Sequence, residues 1–390
     1  MSNESKGASV QSESGADKGV FITGTGLWTP ENIITNEELV EAYNEYVRRW
    51  NDRNAGAIAA GELTALQPSS CEFIEKASGI RQRYVVDKKG ILDPDRMCPD
   101  IPARANEQLS VTAEIACHAA RQALAAAGRD ASEVDLVIVA CSNLQRPYPA
   151  IAIEVQAELG CGGYGYDMNV ACSSATFGIQ QAANAVRSGS SRCALVLSPE
   201  ICSGHLDWRD RDCHFIFGDV ASAVVVEAVP SGRQKAAWEI VGSKTATVFS
   251  NNIRNNSGYL DRCEADGNRE ARDKLFKQEG RKVFKEVCPM AADHIGSHLT
   301  ETGLTPGDIR RFWLHQANLT MNQLITRRIL NREATLDEAP VVLDTYANTS
   351  SPGSVIAFHS HSGDLPLGSL GVLCSFGAGY SIGSHILRRR

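Results

Sequence analysis

The 390-residue sequence has no Cys-x-x-Cys pair among its twelve cysteines, so the spacing typical of zinc ribbons and thioredoxin-type redox sites is missing. It also has no run of 18 consecutive apolar residues, and we predict no transmembrane helix. The first 18 residues are rich in Ser, Gly and Glu and lack the apolar segment of a secretory signal. We therefore expect a cytoplasmic protein, without a membrane partner, in which residues 1–18 form a disordered tail.

An excess of basic charge is missing as well. The 39 Lys and Arg residues stand against 46 Asp and Glu residues, which gives a formal net charge of −7. Because nucleic-acid-binding domains are usually basic, we predict no nucleic-acid partner. A chain that is 43% hydrophobic is apolar enough to bury a large core, so it does not need a disulfide framework. We expect most of the cysteines to be reduced core residues and ask whether one is a nucleophile.

From residue 111 onward, apolar strand patterns alternate with helical patterns, which favours an α/β fold with a mostly parallel sheet. The second half of the chain repeats the first. Residues 128–143 align with 303–318 at an offset of 175, and residues 171–174 align with 347–350 at an offset of 176. The repeat predicts two duplicated α/β halves related by a pseudo-twofold axis.

We place the N-terminal half at residues 19–230 and the C-terminal half at residues 231–390. Two stretches of the first half, at about 51–70 and 87–108, have no clear periodicity and are rich in Ala and Gly or in Pro, Asp and Arg. We interpret both as surface loops or insertions.

Three side chains that are capable of catalysis occupy related positions in the two halves. Cys172 and Asn348 occupy near-equivalent positions, each between a strand and the helix that follows, and His315 ends a strand. Because sites in α/β sheets form beyond the carboxyl ends of strands, we expect the three side chains to converge. The N–H groups and the dipole of a helix start favour a thiolate at Cys172. The alternatives are a packed cysteine, a core histidine and a helix-capping asparagine.

Several short blocks around these residues occur in a recognisable order. They are Ser78-Gly-Ile-Arg-Gln-Arg83, Ala171-Cys172-Ser173, Phe217-Gly218-Asp219, His315-Gln316-Ala317-Asn318, Asn348-Thr349-Ser350 and the closing Phe376-Gly-Ala-Gly379. With these blocks the chain resembles the β-ketoacyl-acyl-carrier-protein synthase III group of the thiolase superfamily from about residue 19 to residue 390. The resemblance implies a thiolase-like five-layered αβαβα fold, a homodimer, and fatty-acid or related biosynthesis.

The resemblance also implies two half-reactions and no cofactor or metal beyond the substrate thioesters. Cys172 would take an acyl group from acyl-CoA, and malonyl-acyl carrier protein (malonyl-ACP) would then lose CO2 and attack the thioester. His315 and Asn348 would hold the malonyl thioester carbonyl while enolate charge forms. The backbone N–H groups of Cys172 and Ala378 would form the oxyanion hole, with Phe376 beside the nucleophile. Ala378 stands where the family has glycine, and alanine is tolerated at this position only if its φ is negative.

Further residues are assigned to the substrate site by the same resemblance. Arg211 matches an arginine that contacts CoA, and Phe73 stands where the family often has a tryptophan stacked on the adenine. Ala77 replaces a second CoA-binding arginine. Tyr148 matches an aromatic residue that crosses the dimer interface to line the acyl pocket, and Asn318 belongs to the same substrate site. Because the two insertions are long, we expect a primer longer than acetyl.

The sequence leaves several alternatives open. A type III polyketide synthase or a non-decarboxylative Claisen enzyme shares the triad, whereas a papain-like protease has a different cysteine context. The acyl chain length, the carrier of the extender unit and the pathway are not fixed. A basic set predicted to form one helical cluster either docks an acidic carrier protein or is a solvated face. This set comprises Lys274, Lys277, Arg281, Lys282 and Lys285.

Overall fold

The computed structural model describes residues 19–228, 237–264 and 272–390. The predicted tail at residues 1–18 and the predicted boundary between residues 230 and 231 lie outside the described residues. Within those ranges, no helix is both long and apolar enough to cross a membrane.

The described residues form thirteen strands and eleven α-helices. The strands are β1 (Val20–Trp28), β2 (Asn32–Thr35), β3 (Gln82–Val85), β4 (Leu136–Ala140), β5 (Tyr164–Met168), β6 (Cys193–Glu200), β7 (Val220–Ala228), β8 (Trp238–Ser250), β9 (Ile253–Arg254), β10 (Lys277–Gln278), β11 (Ile309–Leu314), β12 (Leu370–Gly377) and β13 (Gly379–Arg389). The helices are α1 (Asn36–Arg53), α2 (Ala55–Ala59), α3 (Cys71–Ser78), α4 (Lys89–Leu92), α5 (Val111–Ala127), α6 (Ile151–Leu159), α7 (Ser174–Ser188), α8 (Gly280–Glu301), α9 (Leu319–Leu330), α10 (Leu343–Tyr346) and α11 (Pro352–Ser360).

Nine strands form one hydrogen-bonded sheet in the order β11-β12-β13-β8-β1-β7-β6-β4-β5. In the first half, β4 and β6 are parallel, while the β6–β7 and β7–β1 pairs are antiparallel. The second half repeats this pattern, with β11 parallel to β12 and antiparallel pairs β12–β13 and β13–β8. The duplicated order of elements is confirmed. The expectation of a mostly parallel sheet is wrong, because the last strands of each half return as antiparallel neighbours.

The two halves of the sheet enclose a central helical layer. Helix α7 packs on β4, β6 and β7 and also on β12 and β13, while α11 packs on β11 and β12 and on β6 and β7. Their apolar faces join both sheet halves in one core that includes Ile179, Ile356 and Trp313. Helices α5 and α6 cover the outer face of the first half, and α8 and α9 cover that of the second. The result is the predicted five-layered αβαβα arrangement.

Parts of the predicted loops are regular. Helix α1 continues to residue 53 and α2 follows it, so the loop predicted at about 51–70 is irregular only beyond these helices. The Asn51 side chain anchors that irregular part, since it donates to the Leu66 carbonyl and accepts from the Leu66 N–H at 3.0 and 2.9 Å. The stretch 87–108 contains the short helix α4 and is otherwise irregular.

The predicted basic helical cluster is wrong for two members. Lys274 lies in a short 3-10 helix, where it is buried against Asp261 and Glu264, and Lys277 lies in β10. Only the remaining three basic residues are on α8.

Candidate active site

Cys172 lies in the turn between β5 and α7, near the start of the helix. Ala171 has a φ of 48°, in the left-handed region that residues with a side chain seldom adopt. Asn169 stabilises this turn because its Oδ1 accepts from the Ala171 N–H at 2.9 Å, while its Nδ2 donates to the Ser142 carbonyl at 2.8 Å. The sharp turn therefore presents the Cys172 side chain at the carboxyl end of the first-half strands.

His315 follows β11 and is almost fully buried. Its backbone N–H donates to the Cys374 carbonyl at 2.8 Å, which extends the pairing of β11 with β12 by one residue. The imidazole packs edge-on against the Phe376 ring, with 5.2 Å between ring centroids. These contacts fix the imidazole beside the second-half strand that leads to the glycine-rich turn.

The backbone of Asn348 is held by one segment of the first half, residues 216–218. Its N–H donates to the Ile216 carbonyl at 2.9 Å, and its carbonyl accepts from the Gly218 N–H at 3.1 Å. The side-chain Oδ1 accepts from the Ser350 N–H at 2.8 Å. Since the carbonyl end of the amide is engaged, the Nδ2 group is oriented as the free donor.

Cys172, His315 and Asn348 line one cavity of about 950 Å³, together with Phe376 and Gly377. This volume is at the upper end of the range of small-molecule sites, roughly 300–1,000 Å³. The convergence expected from the duplication is therefore found in the structure. The chemical roles of the three side chains stay predictions.

The glycine-rich turn lies directly against the cysteine. A methyl group at Gly377 would lie 2.7 Å from the Cys172 Cβ and 3.0 Å from its backbone nitrogen, so only glycine allows this approach. Ala378 has a negative φ, as its place in this turn requires, and the positive φ of 128° falls on Gly379. The backbone N–H groups of Cys172 and Ala378 both interact with the thiol. Two converging N–H donors are the arrangement of an oxyanion hole.

The electrostatics of the cavity correct one expectation. Burial raises the pKa of the Cys172 thiol to about 11, although the Ser350 hydroxyl and the N–H groups of Cys172 and Ala378 act to lower it. The expectation of a resting thiolate is thus wrong, because desolvation exceeds the stabilisation by nearby donors. Burial also lowers the pKa of His315 to about 4, so its imidazole is neutral at pH 7.

Of the residues assigned to CoA, Phe73 lines the cavity and Arg211 lies beside it. The guanidinium carbon of Arg211 is 4.0 Å from the centroid of the Phe73 ring, and its Nε donates to the Pro68 carbonyl at 2.7 Å. The pair forms a flat cation–π surface next to the cavity. Ala77, which leaves space there, also lines the cavity.

Two other assigned residues are placed differently. Asn318 lines the cavity, but it caps α9 by accepting from the N–H groups of Thr320 and Met321 and donates to the Ala77 carbonyl at 2.6 Å. Its hydrogen-bonding groups are therefore already engaged within the chain. Tyr148 is 82% exposed and does not line the cavity.

Sequence reasoning missed a buried acid next to these loops. Glu200 ends β6 with no exposed surface and accepts hydrogen bonds from Ser142 and Ser351. Burial raises its pKa to about 7, against the lowering effect of these donors. The signal in the sequence is a single carboxylate at the end of the mostly apolar strand Cys193–Glu200.

Models of one protein family match two parts of the chain. The description 3-oxoacyl-[acyl-carrier-protein] synthase III matches residues 166–247, and its C-terminal part matches residues 299–389. A beta-ketodecanoyl-[acyl-carrier-protein] synthase of Pseudomonas aeruginosa is 61% identical over 350 residues, which cover 90% of this chain and 100% of the relative. A beta-ketoacyl-[acyl-carrier-protein] synthase III of Hyphomonas neptunium is 30% identical over 94% of this chain and 98% of the relative.

Solved structures of similar fold include two that cover most of the chain. The 3-oxoacyl-[acyl-carrier-protein] synthase III of Aquifex aeolicus matches with a TM-score of 0.73 at 24% identity, over 95% of this chain and 100% of that one. The priming β-ketosynthase of the R1128 polyketide pathway matches with a TM-score of 0.74, also at 24% identity, over 95% and 96% of the two chains. At these identities the likeness establishes the fold alone.

Proposed function

Because the chain belongs to the 3-oxoacyl-[acyl-carrier-protein] synthase III family and is a condensing acyltransferase, we propose that its primer is an octanoyl thioester and its extender malonyl-ACP. The observation that carries the proposal is 61% identity to a relative named for a ketodecanoyl product, over that relative's whole length. Malonate contributes two carbons after loss of CO2, so a ten-carbon product requires an eight-carbon primer. The large cavity beside Cys172 is consistent with such a substrate.

In the first half-reaction, the Cys172 sulfur attacks the carbonyl carbon of octanoyl-CoA. The N–H groups of Cys172 and Ala378 stabilise the oxyanion that forms. Since the pKa of the thiol is about 11, its proton must leave during the attack, and the neutral His315 imidazole in the same cavity is the available acceptor. The C–S bond to CoA breaks, the CoA sulfur takes the proton, and octanoyl-Cys172 remains.

In the second half-reaction, malonyl-ACP replaces CoA and its carboxylate leaves as CO2. The electron pair released moves onto the thioester oxygen as an enolate, where the neutral His315 and the Asn348 Nδ2 can donate hydrogen bonds. The fixed orientation of the Asn348 amide supports this role, because its Oδ1 is engaged by the Ser350 N–H. The enolate carbon then attacks the octanoyl carbonyl, and the Cys172 thiolate leaves to give 3-oxodecanoyl-ACP. The thiolate takes a proton from solvent, which restores the thiol.

The rest of the substrate path is proposed from position. The stacked Phe73 and Arg211 beside the cavity suit the adenine and phosphates of CoA. A homodimer is supported by β5, an edge strand of the large sheet, and by the exposed Tyr148. In that dimer, each Tyr148 would line the acyl site of the other protomer.

The polyketide synthase and non-decarboxylative alternatives have weaker support. The structures of a priming β-ketosynthase of a polyketide pathway and of OleA with lauroyl-CoA match at 24% and 17% identity, which shows only a shared fold. The relative at 61% identity is instead named as a beta-ketodecanoyl-[acyl-carrier-protein] synthase.

Product analysis tests the proposal. Acyl-CoAs from two to twelve carbons are offered with malonyl-ACP or with malonyl-CoA, and the products are identified by mass spectrometry. Six additional methylenes contribute about 5 kcal/mol if they are fully buried. About half of that contribution corresponds to roughly a hundredfold in kcat/KM, which is the preference that we expect for octanoyl-CoA over acetyl-CoA. An equal kcat/KM for acetyl-CoA and octanoyl-CoA would contradict the proposal. Condensation with malonyl-CoA but not with malonyl-ACP would contradict it as well.

A further inference from the structure

Glu200 is fully buried near two of the loops that carry proposed catalytic residues, yet it does not line the cavity. It ends β6, one of the central strands of the first half. A buried carboxyl group loses its hydration and destabilises the fold unless donors replace the lost water. An apolar residue would avoid this cost, whereas the carboxyl group of Glu200 requires hydrogen-bond donors around it.

One set of contacts leads to Cys172. The Ser142 N–H donates to Glu200 Oε1 at 2.7 Å, and the Ser142 hydroxyl donates to Oε2 at 2.6 Å. The Ser142 carbonyl accepts from the Asn169 side chain, whose Oδ1 in turn holds the Ala171 N–H. A continuous hydrogen-bonded path therefore runs from Glu200 to the left-handed turn at Ala171 that presents the cysteine.

A second contact leads to Asn348. The Ser351 hydroxyl donates to Glu200 Oε1 at 2.5 Å, and its N–H also interacts with the carboxyl group. Ser351 directly precedes α11, three residues after Asn348, and Ser350 between them has a φ of 58°. This strained backbone must be held by its surroundings. Glu200 is thus the shared anchor of two loops that come from opposite halves of the duplicated fold.

We propose that Glu200 is a positioning residue of the condensation, which holds the Cys172 loop and the Asn348 loop in register with each other. The proposal rests on the proposed roles of Cys172 and Asn348. The pKa of Glu200, about 7, is compatible with this role, since its Oε1 accepts hydrogen bonds whether or not Oε2 carries a proton. The proposal predicts that shape and hydrogen bonding matter at position 200 and that charge matters little.

Two substitutions at Glu200 separate these properties. Glu200→Gln keeps the shape and one acceptor oxygen, whereas Glu200→Ala removes the anchor of both loops. Acyl transfer is followed by the intact mass of the protein with octanoyl-CoA, and decarboxylation by release of labelled CO2 from malonyl-ACP on protein already acylated. We expect the rates of both steps in Glu200→Gln to lie within about threefold of the wild-type rates. In Glu200→Ala we expect both steps to be at least about tenfold slower, because a tenfold loss corresponds to the loss of one strong hydrogen bond. Equal rates for the two variants would overturn the proposal.

The branches are tested one at a time, because Glu200→Ala also affects folding. Ser351→Ala should slow decarboxylation about tenfold and leave acyl transfer within about twofold, while Ser142→Ala should slow acyl transfer by at least about threefold and spare decarboxylation. The matched control is Ser354→Ala, which removes a buried hydroxyl pair with Ser375 from the same helix without touching Glu200. We expect both steps of this control within about twofold of wild type.

Three results would contradict the positioning role: both serine variants slowing both steps equally, neither variant slowing its step, or Ser354→Ala matching Ser351→Ala. Cys172→Ala and Asn348→Ala are measured alongside. If those two variants retain their half-reactions, the proposed roles fail, and that failure is separate from any result at Glu200.

Discussion

A methyl group at position 377 would collide with the predicted nucleophile. In Gly377→Ala the new Cβ would lie 2.7 Å from the Cys172 Cβ, 3.0 Å from its nitrogen and 3.2 Å from its Cα. These atoms belong to the backbone and its first side-chain atom, so no rotamer change relieves the contact. The Cys172 turn or the 377–378 turn must shift, and overpacking of this kind costs about 1–3 kcal/mol of stability.

The same shift separates the two N–H groups that would hold the oxyanion. A displacement of about 1 Å in a reacting geometry can cost roughly a hundredfold in rate, so we expect Gly377→Ala to slow octanoyl transfer to Cys172 by about that factor. Rapid-quench intact-mass measurements give the transfer rate. The control is Gly296→Ala within α8, where an added Cβ meets nothing within 4 Å. Octanoyl transfer in Gly377→Ala within threefold of the Gly296→Ala rate would refute this reasoning.

Other predictions concern ionisation and CoA. Alkylation of Cys172 by iodoacetamide should rise about tenfold per pH unit from pH 7 to 10, because the pKa of its thiol is about 11, and a plateau by pH 8 would contradict this. Burial lowers the pKa of six histidines to about 4, namely His205, His214, His294, His298, His315 and His385. Their unfolded pKa is about 6.5, so unfolding takes up protons between these values and the free energy of unfolding should fall as pH drops through this window. Four carboxyl groups whose pKa values burial raises, Asp167, Glu200, Asp207 and Asp219, oppose this trend but are fewer than the histidines, and a higher Tm at pH 5 than at pH 7.5 would disprove it. Arg211→Ala should raise KM for octanoyl-CoA about tenfold with kcat nearly unchanged, since it removes binding remote from the reacting atoms. A fall in kcat alone would count against a CoA contact.

The convergence of Cys172 with Asn348 could be predicted because duplication is visible in the sequence. An offset of 176 residues relates the two loops, and symmetry of the fold then brings equivalent loops together. Strand direction could not be predicted in the same way. An apolar run has the same sequence pattern in a parallel and in an antiparallel strand. The antiparallel pairing of β7 with β6 and of β13 with β12 therefore could not be predicted from the sequence.

Glu200 and the pKa of Cys172 show a second limit. The hydrogen-bond partners of Glu200 lie 58 and 151 residues away, at positions that a local pattern does not connect. The start of α7 is a local feature and suggests a thiolate, whereas the burial that raises the pKa comes from the whole cavity. Sequence reasoning thus located the side chains that line the cavity better than the surroundings that set their pKa values.

The most direct test of the account is the acylation of the protein by octanoyl-CoA alone. Intact-mass measurement, followed by peptide mapping, should show one octanoyl group per chain, attached to Cys172 and absent in Cys172→Ala. No acylation, acylation at another cysteine, or undiminished acylation of Cys172→Ala would contradict the central claim that Cys172 is the acyl-accepting nucleophile of this condensing enzyme.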